Sequence, residues 1–195
     1  MTTDLLTVIR HAPTSSNGAS VFMGGMDVPA TPEGLRAAEQ TAPTFVANRF
    51  GPVFASPLKR ALDTACALFP EADIWPDVRL AERRLGLWEG QPHAQVRAQY
   101  PEAFLPDGSM DPHFTPPQGE ALDAFLDRIR SFLREAAAAS QSHSPVAVSH
   151  NGWIRTAQYV TGHIHVDEIF VQGIPFLEPI ELDLRLLLAG PVKLT

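Results

Sequence analysis

Two short apolar runs in this chain each stop at a histidine. Leu5-Leu6-Thr7-Val8-Ile9 ends on Arg10-His11, and Pro145-Val146-Ala147-Val148 ends on Ser149-His150. Runs of this kind, without polar alternation, suit strands covered on both faces, as in a parallel sheet flanked by helices. Between them, Thr31-Pro32-Glu33 supplies a helix N-cap with proline in the first turn, and predicts a helix through about Asn48. Pro52 to Ser56 reads as a short strand, Pro57 opens a helix to about Phe69, and Ile74 to Leu80 holds a third short strand. This order predicts an α/β three-layer sandwich, a mainly parallel central sheet with helices on both faces. Ile180-Glu181-Leu182-Asp183-Leu184 alternates apolar and acidic residues, the pattern of a half-exposed, antiparallel edge strand. Such an edge is free to pair with a second copy in a homodimer.

Residues 1–195 are expected to form a single domain. The segment from 86 to 118 shows no sustained period and is rich in Pro, His, Phe and Gly, so it is predicted as an irregular insert over the sheet. Its aromatics Trp88, Tyr100, Phe104 and Phe114 suit either a roof over a small molecule or a core of the insert's own. After Gly119, apolar residues at 122, 125, 126, 129, 132, 133 and 136 follow helical spacing. A further helix is expected from about Trp153 to Thr161.

Composition narrows the function classes. A net charge of −7 argues against a general binder of nucleic acid or anionic membranes. No run approaches the length of a membrane span, and the first apolar stretch lacks a basic flank and a cleavage site, so a cytoplasmic protein is expected. The single cysteine, Cys66, excludes an intrachain disulfide and is expected as a small buried hydrophobe in a helix. His163 and His165 lack an acidic ligand pattern, and no metal site or cofactor is expected.

In open α/β sheets ligands sit beyond the carboxyl ends of the strands. Three strand ends deliver Arg10-His11, Ser56-Pro57-Leu58-Lys59-Arg60 and Ser149-His150-Asn151-Gly152, and together they make an electropositive pocket sized for a phosphate.

These motifs, with Gly25 to Gly34, Leu80-Ala81-Glu82, Gly86-Leu87-Trp88-Glu89-Gly90 and Gly119-Glu120, resemble the histidine phosphatase superfamily, which includes phosphoglycerate mutases and many small phosphatases. The resemblance implies His11 as a nucleophile that forms a phosphohistidine, Arg10, Arg60 and His150 around the phosphate, and Glu82 as proton donor, preferred over Glu89. An imidazole is a competent nucleophile at phosphorus, fixed cations stabilise the charge on the equatorial oxygens, and a carboxylic acid protonates the leaving alkoxide. Asn17 and Thr14 are expected to add neutral donors, Asn151 to reach or crowd the phosphate, and Arg83 to meet a substrate carboxylate. Ala12 stands where the family most often has glycine, a change that is tolerated where φ is negative.

The expected activity is therefore metal-independent hydrolysis of small phosphorylated metabolites. Mutase-type phosphoryl transfer is the alternative chemistry, disfavoured because the stretch Gln91 to Gln118 offers only Arg97 as a cation. A low-activity phosphate-binding regulatory module is the alternative outside catalysis, raised by Ala12 and Asn151.

Overall fold

The computed structural model describes residues 4–46, 50–139 and 143–188. Its elements run β1 (Leu5–Arg10), α1 (Pro32–Val46), β2 (Val53–Ala55), α2 (Lys59–Leu68), β3 (Ile74–Pro76), α3 (His93–Gln99), α4 (Leu122–Ala139), β4 (Val146–Ser149), α5 (Asn151–Val160), β5 (Pro179–Asp183) and α6 (Arg185–Leu188). The strands form one sheet in the order β3-β2-β4-β1-β5, with β5 antiparallel to β1 and the other pairs parallel.

The apolar runs are buried on both faces because side chains alternate along a strand. Leu6, Val8 and Ala147 join one core with Phe125, Ile129 and Leu133 of α4 and Trp153 and Ile154 of α5. Ile9, Val146 and Val148 join the other with Ala38 and Phe45 of α1 and Ala61, Ala65 and Leu68 of α2. The helices thus cover both faces, as expected, and β5 takes the sheet edge that its alternation predicts.

Several expected boundaries move. Helix α2 begins at Lys59, so Pro57 belongs to the preceding turn, and the third strand stops at Pro76 before a 3-10 turn over Val78–Leu80. Asn48, the expected end of the first helix, lies outside the described residues. The stretch from 86 to 118 is less irregular than its sequence suggests: it contains α3 and a small core of Leu85, Trp88, Val96, Ala103 and Met110. Trp88 stacks between Phe104 and Phe114, with ring centroids 6.0 and 5.4 Å away. Cys66 is exposed, which corrects the expectation of burial. The inner face of α2 is taken by Ala61, Thr64, Ala65 and Leu68, and the helical period turns position 66 outward. No described helix is long and apolar enough to cross a membrane.

Leu133 is fully buried between α4 and the sheet. Leu133→Ala is expected to lower the unfolding free energy by about 2 to 5 kcal/mol, measured by urea denaturation; a loss below about 1 kcal/mol would refute the packing described for that face.

Candidate active site

Register decides where the strand ends meet. Arg10 lies opposite Ser149 in the β1–β4 pair, and Ala55 lies opposite Val148 in the β2–β4 pair. The chain leaves all three strands at one level, with His11 N–H donating to Ser149 C=O at 3.0 Å and Ser56 N–H to Val148 C=O at 2.9 Å. His11 and His150 consequently come together, ring centroids 5.1 Å apart and both almost wholly buried.

Their partners fix their protons. His11 Nδ1 lies 2.6 Å from the Ala12 carbonyl. A carbonyl only accepts, so Nδ1 carries the hydrogen and Nε2 keeps a free lone pair. His150 Nδ1 accepts from Arg60 Nε at 3.1 Å, which leaves its hydrogen on Nε2, 2.7 Å from Ser56 Oγ. Burial is the main reason that both imidazoles are held neutral, and the positive Arg60 adds to it; His11 is pulled down to about 3 and His150 well below the ordinary imidazole value.

Arg60, near the start of α2, is 1% exposed. Besides His150 it donates to Met26 C=O at 2.5 Å and to Gly24 C=O at 2.9 Å. Gly24 adopts φ +46°, and a Cβ there would lie 2.6 Å from Glu89 Oε1. Glu89 accepts from the N–H groups of Gly25 and Leu85, both at 2.8 Å. It pins the loop that feeds carbonyls to Arg60.

Arg10 donates from Nη1 to Ile174 C=O at 2.5 Å and lies 3.8 Å over the Phe176 ring, while its Nε is buried without a protein partner. Burial lowers its pKa to about 10, against the opposing pull of Glu82. A buried guanidinium N–H without an acceptor is a place for an anion. Glu82 accepts from Arg83 N–H and from Gly152 N–H, each at 2.9 Å. Its main chain is braced by Arg128 of α4, which donates to the carbonyls of Arg79, Ala81 and Glu82 and pairs with Glu120 at 2.7 Å.

Arg10, His11, Arg60, Glu82 and His150 are thus brought close enough to feel one another's charge, while the other expected residues each have partners of their own. Arg83 donates to the carbonyls of Glu120, Pro112 and Phe114, which fixes its guanidinium beside the insert, and it lines the same cavity as Arg10, Glu82 and Asn151. Thr14 gives its backbone N–H and its hydroxyl proton to Asn17 Oδ1 at 2.7 and 2.9 Å, so these two fold their own loop. Asn151 Oδ1 accepts from Ile174 N–H at 2.6 Å. Ala12 stays out of the positive-φ region, its methyl is fully buried and its N–H donates to Thr64 Oγ1 at 2.9 Å.

The sequence reading missed Arg128, Ile174 and Phe176, and gave Ser56 no role beyond its place at a strand end. Ile174 acts through its main chain and so leaves no side-chain signature. Phe176 arrives from a segment with no motif, turned toward β5 by Leu177 at φ +62°, whose N–H donates to Arg10 C=O at 3.0 Å. Gly119-Glu120 was the available signal for the Arg128 brace.

A model of the histidine phosphatase superfamily, branch 1, matches residues 6–171. The chain belongs to the histidine phosphatase superfamily. It is 34% identical over 153 residues to fructose-2,6-bisphosphatase TIGAR of Xenopus tropicalis, a match covering 70% of this chain and 54% of that protein. It is 30% identical over 157 residues to glucosyl-3-phosphoglycerate phosphatase of Mycolicibacterium vanbaalenii, covering 76% and 70%. The chain spans about half the length of the TIGAR relatives that it matches. Among solved structures, the native mycobacterial glucosyl-3-phosphoglycerate phosphatase has the same fold, with a TM-score of 0.80 at 26% identity, over 91% of this chain and 88% of that one.

A Cβ at Gly152 would lie 2.7 Å from Glu82 Oε1. Gly152→Ala is therefore expected to displace that carboxylate and to lower kcat on a phosphomonoester by about tenfold or more with the fold intact by circular dichroism; unchanged kcat would remove Glu82 from the reaction.

In the unfolded chain both histidines take a proton near pH 6.5, so below that pH the unfolded state binds more protons than the native state. Stability then falls as the solution is acidified. His11→Asn is expected to flatten that fall, between about pH 6.5 and pH 5, by up to about 1.4 kcal/mol per pH unit, read from denaturant titrations; an unchanged slope would contradict a neutral native His11.

Proposed function

We propose that the chain is a phosphomonoesterase that works through a phosphohistidine on His11. The observation that carries this reading is the fixed tautomer of His11: with Nδ1–H held by Ala12 C=O, the nucleophilic Nε2 stands among Arg10, Arg60 and His150. In the first step Nε2 attacks phosphorus, the bond to the ester oxygen breaks, and Glu82 in its protonated form gives its proton to the departing alkoxide. In the second step water attacks the phosphoryl group and passes a proton to the Glu82 carboxylate. The N–P bond then breaks and returns His11 to its starting state. Arg10 and Arg60 answer the charge on the equatorial oxygens. The arginines supply the positive charge, and the reading calls for no metal or cofactor.

Hydrolysis is preferred to mutase transfer because the stretch Gln91 to Gln118 brings only one cation, Arg97, to the cavity wall. It is preferred to a silent binding module because Ala12 is accommodated without backbone strain and Asn151 faces Ile174. On this reading the described residues act as one domain with the insert as roof, on small phosphorylated metabolites in the cytoplasm.

His11→Ala is expected to lower kcat on p-nitrophenyl phosphate by roughly four orders of magnitude or more, and acid-labile phosphate is expected on the wild-type protein after rapid quench. Glu82→Gln is expected to cost about 100-fold or more on alkyl phosphates and less on p-nitrophenyl phosphate, whose leaving group needs no proton. Activity is expected to persist in EDTA. Substantial turnover by His11→Ala would refute the mechanism.

A further inference from the structure

Arg10 and Glu82 open into a cavity of about 350 Å³, which Arg83, already bound to three carbonyls, and Asn151 also line. That volume suits a small metabolite. The rest of the wall is unusual for a site that would take a sugar. Phe22, Met23, Leu85, Phe104, Met110 and Phe170 all line it; Leu85 and Met110 are part of the small apolar core at the insert, and Phe22, Phe104 and Phe170 pack against that core.

Of the polar side chains that the insert adds to the wall, Ser109 and His93 are already hydrogen-bonded. Ser109 gives its hydroxyl proton to Asp107 at 2.7 Å. His93 hydrogen-bonds the Val21 backbone and packs on Phe22, ring centroids 4.3 Å apart. Arg97 is exposed, lies 5.0 Å over Phe104 and is electrostatically coupled to Asp107. A polyhydroxylated leaving group would lose water at several hydroxyls and find few free partners here. An aromatic ring would meet matching faces and edges.

Building on the phosphomonoesterase reading, we propose that the substrate's leaving group is an alcohol with an aromatic body, seated against Phe22, Phe104 and Met23, and that the wall selects against sugar phosphates.

Benzyl phosphate and glycerol 3-phosphate are both esters of primary alcohols, so their comparison reads the pocket more than the leaving-group chemistry. For the wild-type protein kcat/KM is expected to be at least about tenfold higher for benzyl phosphate. In Phe104→Ala and in the near-isosteric Met23→Gln the ratio is expected to fall by at least about fivefold. A wild-type ratio near one, or a ratio unchanged in both variants, overturns the proposal. Should neither ester turn over, calorimetry with benzylphosphonate and 3-hydroxypropylphosphonate separates the two readings. Selective binding of the benzyl compound upholds the pocket and overturns only the phosphatase, whereas equal or absent binding overturns the pocket.

Discussion

Arg60 is a buried cation held by neutral groups. Its guanidinium faces two loop carbonyls and one imidazole nitrogen, and no carboxylate within ion-pair distance relieves it among the described residues. Placing a charge there is costly unless every donor is met, and much of the local structure meets that need. The Met23–Met26 loop must turn its carbonyls inward, which calls for the left-handed backbone at Gly24 and the Glu89 clasp beneath it. His150 must present an unprotonated Nδ1, which sends its hydrogen toward Ser56. Burial, and then the same positive charge, keeps His11 neutral. A dianionic phosphate would complete this set of charges.

Around that centre, two segments distant in sequence set the reach of the functional groups. The stretch from Arg79 to Glu82 has no regular strand to hold its carbonyls. Arg128 and Trp153 share the Arg79 carbonyl, Ser149 takes that of Leu80, and Arg128 also takes those of Ala81 and Glu82. This bracing gives Glu82 a defined place without a helix or strand beneath it. On the other side, the chain before β5 lays Ile174 and Phe176 against Arg10, and Asn151 ties that segment to the start of α5. The side chain after the second histidine therefore serves to join the tail to the catalytic floor.

Much of this arrangement was legible in the sequence. The apolar runs, the proline at the start of α1, the periodicity of α4 and the alternation of β5 follow from local rules that tertiary contacts reinforce. At Cys66 the local signal misled, and at Arg83 and Thr14 it left the partners unwritten. Cys66 sits among small apolar residues, yet burial depends on helical phase relative to the sheet. Arg83 sits beside the proposed acid, and its guanidinium finds two insert carbonyls and that of Glu120, partners that no local pattern announces. Thr14 follows the Arg-His motif, yet the nearest acceptor for its hydroxyl is the amide oxygen of Asn17.

The sequence alone determined which strands would be buried, which residue types would stand at their ends, and so the chemistry available to the pocket. These are matters of hydrophobic period and side-chain identity, and each is written within a few residues. The tertiary structure decided which of those residues come together and which of their donors and acceptors are already taken. That choice rests on sheet register, on the phase of α2 and α5 at their first turns, and on main-chain carbonyls supplied by the loop before Asp27, the insert and the tail. A carbonyl is present at every residue, so where it points is settled only by folding.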